Sequence, residues 1–195
     1  MNLRKRGLAL LMCICMVFTL LPFSVFADGA EPASANTIYV DAINGDDLNN
    51  GSAMTQAYKT VAKAVSEAAD GDTIQLGEGE YSTYGNASPN KTLTFVGADN
   101  GKTKWYIGSP TPNEQLEGTE YNGDYSFDGC EKITFKNIEF SVYSSHYKGF
   151  IRIKNVIVDG CTIKGFSTYW GYNTTLFKNT VFNCPDKEYA LWYYT

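Results

Sequence analysis

The chain has 195 residues, of which 44% are hydrophobic and 14% aromatic, and this is long enough for one domain with a substantial core. It carries 21 acidic and 16 basic residues. An acidic protein repels polyphosphate, so the composition argues against a nucleic-acid partner.

The first residues have the pattern of a secretory signal peptide. Arg4, Lys5 and Arg6 precede an apolar run over 8–26, and Ala27 supplies a small residue for cleavage. A membrane anchor is the alternative, because the run is nearly long enough to span a bilayer. We expect residues 1–27 to be removed, leaving a protein that is secreted or held at the cell surface without a membrane span. Cleavage removes three basic residues and leaves 13 basic against 21 acidic residues, a net charge of −8.

An Ala/Pro/Ser linker over 28–36 precedes a domain that we place at 37–195. After a short strand, residues 41–51 form a loop rich in Asp, Asn and Gly, whose side chains can bond to the loop's own backbone. The segment from Asp47 to Gly51 has some features of a calcium-binding loop, but the final bidentate acid is absent. We predict a self-bonded loop with no metal site and no cofactor, and Ca²⁺ is the alternative.

Residues 58–69 have the periodicity of an amphipathic helix. Tyr58, Val61 and Val65 fall on one face, and Gly71 is placed to end the helix. A solenoid's first coil has an exposed edge and an open interior. We therefore expect this helix to act as an N-terminal cap.

The segment from Ile38 to Tyr81 carries a resemblance to a known family. It reads IYVDAINGDDLNNGS, then AYKTVAKAVSEAADGDTIQLGEGEY. This sequence resembles the N-terminal region of the right-handed parallel β-helix proteins of the pectin lyase-like superfamily. The resemblance implies an all-β fold, a right-handed parallel β-helix (β-solenoid) with a short N-terminal capping α-helix. It does not imply one activity, since the superfamily includes lyases, hydrolases, epimerases, phage tailspikes and adhesins.

A short repeat supports the same architecture. Residues 73–76 and 92–95 look equivalent at an offset of 19, and three later copies share a Lys-Asn pair at offsets of 18 and 24. A preserved core with variable loops is typical of a solenoid. We assign Asn137, Asn155 and Asn179 to a structural ladder, because Asn tolerates the left-handed conformation of a tight bend. The copies read ITFKNIEF from Ile133, IRIKNVIV from Ile151 and TLFKNTVF from Thr175.

The processed chain would keep three cysteines, Cys130, Cys161 and Cys184. An odd number argues against a complete disulfide framework. Cys130 and Cys161 end similar tetrapeptides, FDGC and VDGC, so they could be neighbours on successive coils. We predict buried free thiols, and a disulfide is the alternative.

No catalytic constellation emerges from the sequence, and catalytic residues stay unassigned. A Ser/His/Asp triad would have to use His146, which no nucleophile-elbow pattern accompanies. For the lyase branch the resemblance implies an Arg or Lys base, often with Ca²⁺, and Arg152 alternates with apolar neighbours so that it faces outward. The paired carboxylates of a hydrolase have no counterpart after the helix. Any activity would be that of a polysaccharide lyase or a glycoside hydrolase.

Aromatic residues in two loops between coils form the predicted binding site. Tyr and Trp rings offer flat apolar surfaces to the C–H faces of sugars while their polar tips stay hydrated. The alternative is that these rings only cover the flank of the solenoid. The predicted carbohydrate-binding residues are Tyr143, His146, Tyr147, Tyr169, Trp170 and Tyr172.

The sequence therefore predicts a secreted β-helix protein that acts on or binds extracellular polysaccharide. The alternative is a non-catalytic cell-surface adhesin or a structural module. We expect a monomer or part of a longer chain. Strand-like sequence continues to ALWYYT without a polar cap, so we expect a β-helix that is incomplete at its C-terminal end, unless 189–195 folds over it as an aromatic cap.

Overall fold

The computed structural model describes residues 35–82, 91–99, 101–107, 130–142, 149–151, 153–164, 167–170, 174–183 and 191–194. The predicted signal peptide and most of the predicted linker lie outside these residues. In the part of the chain that is described, no helix is long and apolar enough to cross a membrane.

Parallel strands dominate the described structure. One 3₁₀ turn (Met54–Gln56) and one helix, α1 (Val61–Glu67), accompany them. The strands are β1 (Thr37–Val40), β2 (Thr73–Leu76), β3 (Gly79–Ser82), β4 (Thr92–Val96), β5 (Thr103–Ile107), β6 (Lys132–Lys136), β7 (Glu139–Val142), β8 (Gly149–Ile151), β9 (Asn155–Asp159), β10 (Thr162–Lys164), β11 (Ser167–Trp170), β12 (Thr174–Lys178), β13 (Val181–Asn183) and β14 (Leu191–Tyr194).

The strands form three sheets. The first sheet has the order β1-β2-β4-β6-β9-β12, the second β3-β5-β7-β10-β13, and the third β8-β11-β14. Neighbouring strands are parallel in all three sheets. From β6 onward, each coil contributes one strand to each sheet. This confirms the predicted fold class, an all-β parallel β-helix with few helices.

Inward-facing side chains stack in columns and make the core. The first sheet contributes Phe95 and Phe135, whose rings stack at 5.5 Å between centroids. Trp105 of the second sheet meets Phe95 edge-on at 5.3 Å, and Phe140 meets Phe135 edge-on at 5.3 Å. All four side chains are almost fully buried. Each such aromatic pair contributes about 0.5–1.5 kcal/mol beyond the burial of its area.

The register of the first coils differs from the prediction by two residues. Ile74 lies beside Phe95 and Gln75 beside Val96, an offset of 21 rather than 19. A shift of two keeps every side chain on the same face of the sheet. The predicted pairing is therefore wrong, but the error leaves the same residues facing the core.

The predicted second copy of the Lys-Asn repeat is also out of register. Lys136 of β6 lies beside Asp159 of β9, which in turn lies beside Lys178 of β12. The structural equivalent of the Lys-Asn pair in the middle coil is thus Asp159-Gly160. Asn155 instead begins β9 and lies beside Lys132.

The bend after these strands explains the error. It requires a positive φ, which is 56° at Asn137, 66° at Gly160 and 46° at Asn179. Glycine adopts this conformation as readily as asparagine, so the bend does not need an Asn in every coil. The predicted bend with a positive φ is confirmed for Asn137 and Asn179 and is wrong for Asn155. No continuous Asn ladder forms, and the Asn179 amide donates to Asp159 Oδ1 at 3.0 Å.

The predicted cap is present, but its helix is shorter than expected. Helix α1 starts after Thr60, whose Oγ1 accepts a bond from Lys63 N at 3.2 Å. Tyr58 lies outside the helix in a parallel bridge with Val40. Asp47 Oδ1 accepts bonds from the backbone N–H of Lys59 and of Thr60, both at 2.9 Å, and so holds this segment outside the helix.

The C-terminal end of α1 is fixed by a lysine from the next coil. Ala68 is already extended, with φ −63° and ψ 141°. Lys91 Nζ donates to the carbonyl oxygens of Val65 and Ala68, at 3.2 Å and 2.5 Å. A cation suits the negative end of a helix, so this contact favours termination here.

Cys130 and Cys161 are buried free thiols, as predicted. They are not near neighbours on successive coils, as the similar tetrapeptides suggested they could be, because they lie at opposite ends of the first-sheet strands. The carbonyl of Cys130, before β6, accepts from Lys154 N, whereas the carbonyl of Cys161, after β9, accepts from Val181 N. Burial raises the pKa of Cys161 to about 11, so its thiol stays protonated at neutral pH. Cys184 lies outside the described residues.

Candidate functional site

The structure describes two of the six predicted carbohydrate-binding residues, and only by their backbone. Tyr169 and Trp170 lie in strand β11 rather than in a loop, so the loop prediction is wrong for them. The sequence misled because these residues lie between two copies of the Lys-Asn repeat, where a loop was expected. The other four, Tyr143, His146, Tyr147 and Tyr172, lie outside the described residues, as does Arg152.

The third sheet brings the two residues next to other aromatics. Tyr169 lies between Phe150 of β8 and Tyr193 of β14, and these three residues form the Tyr169 column. Trp170 lies between Ile151 and Tyr194, and these form the Trp170 column. Sequence reasoning missed Phe150, Tyr193 and Tyr194 as members of a site, because only the stacking of coils brings them beside β11.

Each face of the third sheet carries one of these columns, because alternate residues of a strand lie on opposite faces. Neighbouring strands are about 4.8 Å apart, so either column places aromatic residues in a row parallel to the solenoid axis. Strands β8, β11 and β14 also contain no charged residue. The register of these three strands therefore aligns uncharged and mostly aromatic residues with one another.

A polar cleft lies at a different place, the corner between the first and second sheets. Its volume is about 170 Å³. Residues 97–102 precede β5, whereas only 137–138 separate β6 from β7, so the longer connection makes one wall. The lining residues are Asp99, Gly101, Asn137, Ile138, Glu139, Gly160 and Thr162.

Two glycines allow this corner to pack. A Cβ on Gly97 would lie 2.1 Å from the carbonyl oxygen of Asn137, and a Cβ on Gly160 would lie 2.6 Å from Asn137 Oδ1. Real Cβ atoms essentially never come this close to another atom. The approach of Gly97 to the Asn137 backbone and of Gly160 to the Asn137 side chain therefore depends on the absence of a side chain at each glycine.

The cleft is suited to hydroxyl or ammonium groups rather than to anions. Asp99 and Glu139 contribute carboxylates, and Thr162 contributes a hydroxyl. Lys164 Nζ lies 2.8 Å from Glu139 Oε1 and neutralises part of that charge. Carboxylates accept hydrogen bonds but repel an anionic ligand.

Charges on the outer face of the second sheet pair with one another. Lys104 Nζ lies 3.6 Å from Glu80 Oε1, and Tyr106 Oη donates to the same oxygen at 3.1 Å. Lys104 also neighbours Glu139 in the register. Exposed pairs of this kind contribute only about 0–1 kcal/mol each, but they leave the face close to neutral. Glu80 and Glu139 are thus each engaged with a lysine, and the described residues offer no free pair of carboxylates on this sheet.

The Asp/Asn/Gly loop bonds to its own backbone, as predicted. Asp41 Oδ1 accepts from Ile43 N at 2.8 Å and from Asn44 N at 3.0 Å. Partial burial opposes ionisation of Asp47, but hydrogen bonds from Thr60 and Lys59 outweigh it and hold the pKa of Asp47 below its usual value. Among the described residues, no group of three or more His, Cys, Asp or Glu side chains could hold a metal ion.

Comparison with known proteins identifies a family but not an activity. A search of curated proteins finds no match, and neither does a search of solved structures. A family model described as "Protein of unknown function (DUF1565)" matches residues 43–168, which span the cap and the first four coils. Because this match covers more than half of the chain, the protein belongs to the DUF1565 family.

Proposed function

We propose that this protein is an exported, pectin lyase-like β-helix that binds extracellular polysaccharide through the outer face of its third sheet. The single observation that carries the proposal is the register of β8, β11 and β14, which lines up the Tyr169 and Trp170 columns. Aromatic rings pack on the apolar faces of sugars, and a row of them parallel to the axis offers successive contacts to a polymer.

The sequence supplies the support for export and for the superfamily. The signal-peptide pattern ends at Ala27, and the segment from Ile38 to Tyr81 resembles the pectin lyase-like superfamily. Parallel sheets and a capped first coil agree with that resemblance. Turnover is not part of the proposal, since no described group of residues favours it.

Charge narrows the class of polysaccharide. After signal cleavage the chain carries a net charge of −8, and the strands of the third sheet contribute no cation that would attract a polyuronate. Stacking on aromatic rings needs no charge on the sugar. We therefore expect neutral polysaccharides to bind more tightly than polygalacturonate in the absence of Ca²⁺.

Affinity electrophoresis tests the proposal with the secreted protein run in gels that contain a neutral or an anionic polysaccharide. The variants are Tyr169→Ala and Trp170→Ala, and Tyr39→Ala is the matched control because it removes a half-buried aromatic from the first sheet. The variant in the outward-facing column should bind about tenfold more weakly, which corresponds to about 1.4 kcal/mol. The variant in the inward-facing column should instead have a lower thermal midpoint.

The outcomes separate binding from packing. Loss of retardation in one variant with an unchanged thermal midpoint supports the aromatic face. If both variants melt like the wild type and bind like it, or if the wild type binds none of the polysaccharides, the proposal is wrong. Release of an unsaturated product from polygalacturonate, followed by its absorbance, would instead indicate a lyase.

A further inference from the structure

The polar cleft between the first and second sheets results from one longer connection. Strands β6 and β7 are joined by residues 137–138 alone, and β9 and β10 by residues 160–161 alone. In contrast, β4 and β5 are joined by residues 97–102. The longer connection forms a wall of the cleft and contributes Asp99 to its lining. The cleft is therefore a local departure from the regular corner of the solenoid.

The carboxylate of Asp99 has no lysine partner in the described part of the chain. The lysines nearest to it in sequence and in the cleft are paired elsewhere. Lys102 Nζ lies 3.1 Å from Glu78 Oε2, and Lys164 Nζ lies 2.8 Å from Glu139 Oε1. The cleft therefore keeps a negative charge that no described side chain balances, and a cationic ligand would balance it.

Two neutral polar side chains complete the lining. Asn137 contributes an amide and Thr162 a hydroxyl, and neither side chain makes a hydrogen bond within the described structure. Both groups can accept a hydrogen bond from a ligand hydroxyl as well as donate one. The cleft volume of about 170 Å³ is sufficient for one six-membered ring, since a cavity of about 150 Å³ holds benzene.

We propose that this cleft binds a single hexosamine unit, a six-membered sugar ring that carries a protonated primary amine. The ammonium group lies against the Asp99 carboxylate, because it has three donors and no acceptor and forms its strongest hydrogen bonds with carboxylates. The ring hydroxyls bond to Thr162 and Asn137. The site lies between the first and second sheets, so this inference does not depend on polysaccharide binding by the third sheet.

Charge and the lining residues favour this ligand over the other small molecules that a polar cleft could hold. A sugar acid would be repelled by Asp99, and a neutral sugar would leave its charge unbalanced. Among the described residues, no group of three or more His, Cys, Asp or Glu side chains could hold a metal ion. An amine joined to several hydroxyls matches both the carboxylate and the neutral groups of the lining.

Isothermal titration of the secreted protein with glucosamine tests the proposal, at a mildly acidic pH where the amine is protonated. N-Acetylglucosamine is the matched ligand, because it keeps the ring and its other hydroxyls but carries no charge. We expect glucosamine to bind at least tenfold more tightly than N-acetylglucosamine. If glucosamine does not bind to the wild type, or if the two sugars bind equally, the proposal is wrong. This comparison needs no variant and so does not depend on the folding of one.

Two substitutions locate the bound sugar. Asp99→Asn keeps the size of an exposed side chain and removes its charge, and should weaken glucosamine binding at least tenfold. Thr162→Val removes only a hydroxyl and should weaken it about three- to tenfold. Asp46→Asn is the control, because it removes the same charge from an exposed position in the cap loop while an amide oxygen can still accept the bond from Leu48 N.

The pattern across the variants decides whether the sugar is bound in the cleft. Weaker binding in Asp99→Asn with unchanged binding in Asp46→Asn supports the cleft. Equal binding in Asp99→Asn and the wild type, or an equal loss in both Asp variants, contradicts it. Trp170→Ala should bind glucosamine like the wild type, and a tenfold loss in that variant would place the sugar on the third sheet instead.

Discussion

Gly97→Ala should be among the most destabilising single-methyl substitutions in this protein. A Cβ at this position would lie 2.1 Å from the carbonyl oxygen of Asn137 and 3.0 Å from Thr103 Cβ. Backbone cannot move aside as a flexible side chain can. The corner would have to open by more than an ångström, next to the bond from Gly97 N to the Lys136 carbonyl at 2.8 Å.

The magnitude follows from what that opening disrupts. Losing one buried backbone hydrogen bond costs about 1 kcal/mol, and overpacking a tight site costs about 1–3 kcal/mol. The rings of Phe95 and Phe135, two residues before the corner, would also lose part of their 5.5 Å contact. We expect a loss of about 3 kcal/mol in the free energy of unfolding, a large share of the ~5–15 kcal/mol of a typical domain.

Urea unfolding followed by circular dichroism measures this loss, and Gly71→Ala is the matched control. Gly71 has a φ of +90°, but a Cβ there meets nothing within 4 Å. The Gly71→Ala substitution therefore measures the cost of backbone strain alone, about 1–2 kcal/mol in the free energy of unfolding. If Gly97→Ala costs no more than Gly71→Ala, the steric argument for the corner is refuted.

Three further predictions concern polar contacts. Burial raises the pKa of Tyr81 to about 12, so the folded state holds this proton more tightly than the unfolded state, whose pKa is about 10. The stability that this group contributes is complete below pH 10 and falls by ~3 kcal/mol towards pH 12. In Tyr81→Phe the free energy of unfolding should therefore depend less on pH over that range. A pH dependence equal to that of the wild type would argue against this reasoning. Asp47→Ala should lower the free energy of unfolding by about 1–2 kcal/mol at pH 7. Because the pKa of Asp47 is lowered in the folded state, this difference from the wild type should vanish in acid, below the folded pKa. A difference that persists at low pH would exclude an effect of the carboxylate. Lys91→Met keeps the apolar stem but removes the bonds to the end of α1, and should lower the thermal midpoint by several degrees, whereas Lys59→Met, on an exposed residue, should not.

The fold is predictable from this sequence because two signals agree. Alternation within each short strand puts apolar residues on one face, and the capping segment before Gly71 marks the first coil. The register is not predictable in the same way. Asn137 and Gly160 solve one geometric problem, a positive φ at a bend, with different residues, so similarity of sequence aligned Asn155 to the wrong position.

The candidate site was predictable only in part, for a related reason. Aromatic residues such as Tyr169 and Trp170 stand out in sequence, but whether they lie in a loop or a strand depends on their neighbours across the sheet. Phe150 and Tyr193 lie 19 residues before and 24 residues after Tyr169, so only the stacking of coils brings them together. No local pattern within β11 encodes those contacts.

The distribution of charge over the three sheets supports the proposal that a polysaccharide binds to the third sheet. The second sheet carries Glu80, Lys104 and Glu139, which pair with one another or with further lysines. The first sheet has Lys136 and Lys178 on either side of Asp159 in one column. Holding a neutral polymer against either face would require removing water from these ions, at a cost that hydrogen bonds to sugar hydroxyls only partly offset. The described strands of the third sheet contain no charged residue, so a polymer bound there would displace no water from an ion. This difference is the reason that we propose the third sheet as the binding face.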